Sequence, residues 1–376
     1  MIHIVKAKLS SQTELFGLVD KLNTKQSKRL TKSIEHFFYT NLFLKIDERK
    51  FAKLYSKKAS RPNVPVNQLV GALILKHIFN WTYEELFKNL NFNILTRYSL
   101  GIRKIEDNIF AEASLFNFQS KLVEHMGKTK EDLIEQVLNE LTLKQQKTLQ
   151  IKTDIQRCDS FLIGSNIVDY SRLRLLVEVL KRLERELSEN HLSEHKEIFD
   201  CFLNKTSSQY IYKIEKSDLS KQYELMGKFY HEIYQKHNQT YKDNEVFQIF
   251  KRVYFEHFKI IEKKIVVKDS EELGSNILMS PDDTEATFRQ KGRRSSSKGY
   301  VGHLTETANP ENNVQLITDV EVAQNNVDDG QILNGRLRKM VKKTPELKEL
   351  FTDGLYGNLD NDKILNKNEI QQYQTG

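Results

Sequence analysis

The hydrophobic pattern divides the chain into a helical first part and a mixed second part. Residues from about 26 to 145 carry a helical pattern, and after Pro65 apolar residues recur at the i, i+3, i+4 spacing of one buried helix face. Thr82 and Glu85 have the spacing of a capping box at the start of the next helix, and Gly101 is a natural left-handed stop for a third, short helix. Short helices with tight connections allow a helix-turn-helix module for DNA, or an ordinary small helical bundle.

The second part begins with a strand and ends with strands and a helix. From about residue 149 to 164 apolar and polar residues alternate, which predicts a strand. Residues from about 190 to 267 are helical again and rich in aromatic residues, as expected for packing within a helical insertion. Farther along, the pattern predicts strands at 300–307 and 314–323, a helix at 327–343 and a strand at 347–351. The prediction is an α+β fold class, mostly α, with domains at 1–145 and 146–376.

Charge adds a candidate partner. Lys plus Arg number 58 against 51 for Asp plus Glu, a formal net charge of +7, which fits a polyanion such as DNA but also occurs in proteins that never contact it. One basic run covers residues 21–29. A second precedes a predicted strand and contains Arg289, Lys291, Arg293, Arg294 and Lys298. We predict that the second run contacts DNA phosphates, with a solvated loop as the alternative.

The remaining composition points to a cytoplasmic protein. Cys158 and Cys201 are the two cysteines, and they have neither metal-ligand spacing nor a pairing pattern, which indicates a reducing compartment. No stretch approaches the ~18 consecutive apolar residues of a membrane span. The first residues also lack the apolar core and small-residue cleavage site of a secretion signal.

Two aspartates are the strongest candidates for chemistry. Asp159 and Asp353 each lie at the end of a short apolar stretch that predicts a strand, and a mostly helical segment separates them. Two carboxylates on neighbouring strands are what a protein needs to hold divalent metal for phosphoryl transfer on nucleic acid. Asp154 is a rival for the first position, although it falls on the opposite strand face. Asp353 is followed by Gly354, and the alternative to metal binding is that its side chain caps a turn.

Several segments together resemble one family. They are PVNQLVGALILK (65–76), WTYEEL (81–86), Asp159 with Ser160, GSNI (164–167), KGYVGH (298–303), VQLITD (314–319), NNVDD (325–329) and TDGLYG (352–357). In this order the chain resembles the DDE transposases of bacterial insertion sequences, in the variety with an all-helical N-terminal domain. The resemblance implies that residues 146–376 form a ribonuclease-H-like core, interrupted by an all-helical insertion at about 190–267.

The resemblance also implies residue roles and partners. Asp159 would be the first catalytic acid and Asp353 the second, together holding two Mg²⁺ ions ~3.5–4 Å apart, for which Mn²⁺ can substitute. The implied activity is cutting and joining of double-stranded DNA at transposon ends by a homo-oligomer, because two DNA ends must be brought together. Of the other polar residues, His303 and Glu306 could point at the site, with a satisfied structural histidine as the alternative. Asp328 and Asp329 precede a helix, where capping competes with metal binding.

The pattern departs from the family at its third acid. That acid is a glutamate on a helix well after the second aspartate, whereas Glu369 lies where the family has a connecting segment and is left unassigned. The expectation is therefore a transposase that is truncated at its C-terminus. Two hypotheses follow: a metal-dependent DNA strand-transfer enzyme, or a catalytically inactive remnant that acts only as a DNA-binding protein.

Overall fold

The computed structural model describes residues 19, 21–55, 63–104, 106–168, 170–203, 206–291 and 295–375. The chain divides into two compact units, Met1–Ile151 and Lys152–Gly376. The fold class is α+β and mostly α, as the sequence predicts. None of the described helices has both the length and the apolar run that crossing a bilayer requires.

The first unit is helical in its described residues. Its α-helices are α1 (Thr24–Leu30), α2 (Ile34–Asn41), α3 (Val66–Ile78), α4 (Tyr83–Phe92), α5 (Ile94–Ser99), α6 (Glu112–Thr129) and α7 (Leu133–Leu149). The predicted capping box is confirmed, because Thr82 accepts a hydrogen bond from the Glu85 backbone and Glu85 accepts one from the Thr82 backbone. The predicted stop after α5 is confirmed too, since Gly101 has a φ of 68°.

A buried carboxylate completes the start of α3. Pro65 occupies the N-cap position and offers no side-chain hydrogen bond to the first turn. Glu48, 7% exposed, accepts a bond of 2.9 Å from the Asn67 amide instead. Burial raises the pKa of Glu48, while this backbone bond opposes the rise. A distant side chain thus satisfies a helix terminus that the local sequence leaves open.

The second unit combines one main sheet with helices. Its helices are α8 (Arg172–Glu184), α9 (Glu189–Glu194), α10 (Lys196–Leu203), α11 (Ser207–Tyr212), α12 (Leu219–His237), α13 (Glu245–His257), α14 (Asp329–Lys343) and α15 (Leu359–Lys367). Its strands are β1 (Ile155–Gly164), β2 (Phe258–Ile261), β3 (Lys264–Val267), β4 (Thr287–Lys291), β5 (Ser295–Thr307), β6 (Ile317–Gln324), β7 (Glu349–Asp353) and β8 (Gln371–Thr375).

The main sheet has the order β6-β5-β1-β7-β8, with β4 paired to the first residues of β5. The pairs β6–β5 and β5–β1 are antiparallel, whereas β1–β7 and β7–β8 are parallel. The strands predicted at 300–307, 314–323 and 347–351 correspond to β5, β6 and β7. The hydrophobic pattern does not predict β8, because QQYQT is polar and lacks the apolar alternation of a half-buried strand.

The prediction of an all-helical insertion over 190–267 is wrong at its end. Helices continue to His257, but β2 and β3 then form a separate two-stranded hairpin. Its turn residues, Glu262 and Lys263, both have positive φ, at 47° and 64°. Such turns usually carry glycine or asparagine, so the turn gave no signal in the sequence. The β-branched residues around it favour strands, but they directly follow the helical pattern and do not by themselves mark its end.

Two helices cover one face of the main sheet. Leu333, Leu337 and Met340 of α14 pack in one core with Cys158 of β1 and Leu350 of β7. Leu365 of α15 and Ile370 belong to the same core. We call this side of the sheet the covered face, and the opposite side the cleft face.

Candidate metal centre

Strand alternation places Asp159 on the cleft face. Along β1, Gln156 and Cys158 are buried, whereas Arg157 and Asp159 are exposed. Successive side chains of a strand point to opposite faces, so Arg157 and Asp159 share one face and the core residues share the other. Burial raises the pKa of the Cys158 thiol to about 12, which keeps it protonated within the covered core.

The register of β1 and β7 brings the second aspartate to the same level. The two strands run parallel, with Arg157 opposite Phe351. Asp159 lies two residues beyond Arg157, and Asp353 lies two residues beyond Phe351. Both aspartates therefore point to the cleft face at the same height on adjacent strands, and strands in a sheet lie about 4.8 Å apart where they are paired.

Asp159 and Asp353 line one open cleft of about 900 Å³. The cleft is bounded by Arg157, Cys158, Asp159, Phe161, Leu304, Glu306, Ala308, Ile317, Phe351, Thr352, Asp353 and Thr375. These residues come from β1, β5, β6, β7 and β8, together with Ala308 just beyond β5. The lining combines three carboxylates and one guanidinium with an apolar floor.

Each of the two aspartates keeps much of its capacity to accept a ligand. Asp159 accepts a bond of 2.7 Å from the Ser160 amide. Asp353 is the N-cap of a short turn and accepts a long bond of 3.4 Å from the Leu355 amide. The capping alternative for Asp353 therefore has structural support, but one such bond occupies a single carboxylate oxygen. Neither carboxylate is ion-paired with another described residue.

The third carboxylate of the cleft is paired. Glu306 lies directly opposite Arg157 across β1 and β5, and its Oε1 is 2.6 Å from Arg157 Nε. Glu306 is one of the polar residues that the sequence suggests for the site. The alternation along β1 also places Arg157 on the same side as Asp159, but no role at the site was predicted for it.

Structural hydrogen bonds hold Asp154 and Asp328, whereas one carboxylate oxygen of Asp329 has no hydrogen-bond partner among the described residues. Asp154 accepts a bond of 2.8 Å from Asn309 Nδ2, and its carbonyl accepts from the amides at the start of β7. Asp328 is the N-cap of α14 and accepts from the Gly330 amide at 2.9 Å. Asp329 is 4% exposed, and its Oδ2 lies 3.7 Å from Arg289. None of the three lines the cleft.

His303 lies on the covered face, not at the aspartates. It is opposite Ser160 in the β1–β5 pair, is fully buried, and has its ring centroid 5.5 Å from that of Tyr356. Burial lowers the pKa of His303, although nearby Asp319 and Asp329 oppose the shift. Neither ring nitrogen finds a hydrogen-bond partner among the described residues. His303 therefore does not point at the two aspartates. It is buried, as the structural alternative predicts, but neither ring nitrogen is satisfied among the described residues.

An unpredicted buried ion cluster joins α14 to β6. Asp319, 1% exposed, accepts two bonds of 2.7 Å from Arg336 and one of 2.6 Å from Lys343. Arg336 also donates to Glu321 at 2.5 Å. The fork of Arg336 matches the carboxylate plane, which fixes the helix against the strand. The spacing of seven between Arg336 and Lys343 places both on one helix face, a signal that the sequence did contain.

The predicted DNA-binding residues are only partly described. Arg289 lies on β4 within reach of Asp329, and Lys298 lies on β5 opposite Phe288. Lys291 is the last residue of β4, and only its backbone is described. Arg293 and Arg294 lie outside the described residues. Phosphate contact by this group stays a prediction.

Comparison with known proteins adds a finding on the helical unit. Residues 25–121 match the family model described as Transposase domain (DUF772). The match supports a transposase. Searches of curated proteins and of solved structures found no significant match. The matched residues cover most of α1 to α6, so this support is independent of the two aspartates in the second unit.

Proposed function

We propose that the protein is a DDE-type transposase in which Asp159 and Asp353 bind the divalent metal ions used to cut and join double-stranded DNA at transposon ends. The transposase-domain match to residues 25–121 supports the general activity. The observation that carries the site is the register of β1 and β7, which puts the two aspartates side by side on the cleft face.

We extend the proposal to the fold of the second unit, as an interrupted ribonuclease-H-like core. Three antiparallel strands followed by two parallel ones, in the order β6-β5-β1-β7-β8, support this assignment. In such a core the first and fourth strands are neighbours, and here these are β1 and β7. The segment between β1 and β4, which contains helices α8 to α13 and the β2–β3 hairpin, is the interruption.

The aspartates suit Mg²⁺, with Mn²⁺ as a substitute, because both ions prefer oxygen ligands. Asp159 and Asp353 can take up a cation without losing an ion-pair partner among the described residues. When bound, the ions would activate the attacking hydroxyl and stabilise the leaving oxygen. Arg157, whose side chain is 62% exposed, lies on the same face and can contact a DNA phosphate beside the metal ligands.

A homo-oligomer on DNA is the proposed acting form. Transposition joins two ends, which two copies of the chain would hold together. The formal net charge of +7 favours a polyanionic partner, and Arg289, Lys291, Arg293, Arg294 and Lys298 are the proposed phosphate contacts.

A second candidate function is DNA binding without cleavage. The cleft offers two carboxylates free of ion pairs among the described residues, whereas its third, Glu306, is held by Arg157. Two carboxylates hold metal less firmly than three. Binding at transposon ends without strand cleavage would then be the activity of this chain.

The test is cleavage and binding of duplex DNA that carries the sequences flanking the gene. The full chain is incubated with labelled duplex and Mg²⁺ or Mn²⁺, beside Asp159→Asn and Asp353→Asn. Asp360→Asn is the matched control, because Asp360 is an exposed aspartate of α15 that lies outside the cleft and is paired with Lys363. The isosteric amides remove charge while they preserve volume.

The two candidates give different results. Metal-dependent cleavage that falls at least about 100-fold in both site variants, and not in the control, supports the enzyme. DNA binding that weakens steeply with salt and is unchanged in Asp159→Asn supports the second candidate, provided that no cleavage is observed. A chain that neither binds nor cleaves this DNA contradicts both.

A further inference from the structure

A second cluster of metal-ligand side chains lies in the helical insertion, outside the cleft. His195 directly follows α9, and His237 is the last residue of α12. The two imidazoles are 1% and 3% exposed, and their Nε2 atoms face each other at 2.8 Å. Two buried histidines whose nitrogens converge on one point are uncommon as packing residues, because each brings polar atoms that need partners.

A carboxylate completes the cluster. Glu194 Oε2 lies 4.0 Å from His237 Nε2, and its side chain is half-exposed. One ligand atom from each of Glu194, His195 and His237 lies within 4.8 Å of the others. Across the described residues, this is the one set of three or more His, Cys, Asp or Glu side chains that meets this distance.

A second carboxylate lies beside the first histidine. His195 Nδ1 is buried without a hydrogen bond to any described residue, and Glu232 Oε1 lies 3.4 Å from it. A proton on Nδ1 would face this carboxylate, which would leave a lone pair on Nε2, the atom that faces the cluster. In metal sites the outer N–H of a histidine commonly donates to a carboxylate, and Glu232 is the carboxylate nearest to that position here. Glu232 is itself held by Lys236 at 3.0 Å.

A simple hydrogen bond between the two imidazoles is the alternative to a metal site. A proton shared between the two nitrogens can satisfy one donor and one acceptor, but it leaves Glu194 without a role.

We propose that Glu194, His195 and His237 form a Zn²⁺ site that pins the end of α9 to the end of α12. Two imidazole nitrogens and one carboxylate oxygen are a zinc donor set, whereas Mg²⁺ prefers oxygen alone. Tetrahedral ligands at a Zn–N distance of about 2.0–2.1 Å are separated by about 3.3 Å, so small side-chain rotations convert the observed contacts into coordination.

The fourth position has a candidate within reach. His191 precedes His195 by one helical turn, and its ring centroid lies 4.5 Å from that of His237. Its Nδ1 is bonded to the Tyr241 hydroxyl at 2.9 Å, so Nε2 is the nitrogen left for a metal or for a bound water. The site would then be structural, because α9, α12 and the residues between them are fastened at one point.

The test is zinc binding by the full chain after removal of metal with a chelator. Zn²⁺ is titrated against a chromophoric competitor with wild type, His237→Gln and Glu194→Gln. Glu189→Gln is the matched control, an exposed glutamate at the start of α9. Circular dichroism of each metal-free variant verifies its fold, and Glu194→Gln tests the site even if a histidine variant does not fold.

We expect one zinc per chain, with an affinity at least about tenfold lower in both site variants and unchanged in the control. Co²⁺ in place of zinc should give a visible absorption band that His237→Gln removes. Zinc binding that is equal in all variants, or absent from wild type, overturns the site.

Discussion

The two faces of the main sheet differ in what their side chains do. On the covered face, Leu350 and Leu337 are fully buried, and Asp319 is held by two cations. On the cleft face, one residue away along the same strands, Arg157, Asp159 and Asp353 are exposed. Because side chains alternate along β1 and β7, residues that stabilise the core and residues proposed to bind metal are neighbours in sequence but lie on opposite faces of the sheet. Substitutions on the two faces should therefore have separable effects.

The largest stability effect is expected at the buried ion cluster. Asp319→Ala leaves Arg336 and Lys343 without their shared carboxylate, which should cost about 3–5 kcal/mol. Hydrogen exchange of α14 amides measures the loss. The exposed aspartate variant Asp360→Asn should stay within about 0.5 kcal/mol of wild type. A loss below about 1 kcal/mol for Asp319→Ala would show that the cluster does not hold the covered face.

A matched pair of leucines compares the faces directly. Leu350, fully buried on the covered face, should lose about 2–5 kcal/mol on change to alanine, because a cavity remains. Leu304 lies opposite Asp159 on the cleft face and is only partly buried. Leu304→Ala should cost less than half as much in the same urea unfolding experiment. Equal losses would contradict the distinction between the faces.

The lowered pKa of His303 predicts how the unfolding free energy depends on pH. Its pKa in the folded protein lies below the ordinary value of 6.5, so the unfolded chain takes up a proton that the folded chain does not. Stability from this group is present above about pH 6.5 and is lost as pH falls below it, with a slope of up to about 1.4 kcal/mol per pH unit. His303→Gln should flatten the dependence of the unfolding free energy on pH. The same slope in both proteins would contradict this assignment.

The sequence predicted four of the five strands that line the cleft, for physical reasons that are local. Apolar alternation placed β1, β5, β6 and β7, and the Thr82–Glu85 capping box was correct because a cap needs only neighbours. The ion cluster at Asp319 and the Glu48 cap depend on residues far apart in sequence. The spacing of Arg336 and Lys343 places both on one helix face, but no local pattern shows that Asp319 is their partner or that Glu48 caps α3. The β2–β3 turn was missed because its residues adopt positive φ without glycine.

The smallest stability effect is expected at the proposed metal ligands themselves. Asp159→Asn and Asp353→Asn change exposed side chains, so each should alter the unfolding free energy by no more than about 0.5 kcal/mol. A large loss of stability in either variant would place that aspartate among the structural residues, beside Asp319.

The most direct test measures Mn²⁺ binding to the full chain by electron paramagnetic resonance. Wild type is compared with the double variant Asp159→Asn/Asp353→Asn and with the control Asp360→Asn. We expect Mn²⁺ to bind wild type and the control alike, and at least about tenfold more weakly to the double variant. Equal Mn²⁺ affinity in wild type and the double variant would contradict a metal centre at these two aspartates.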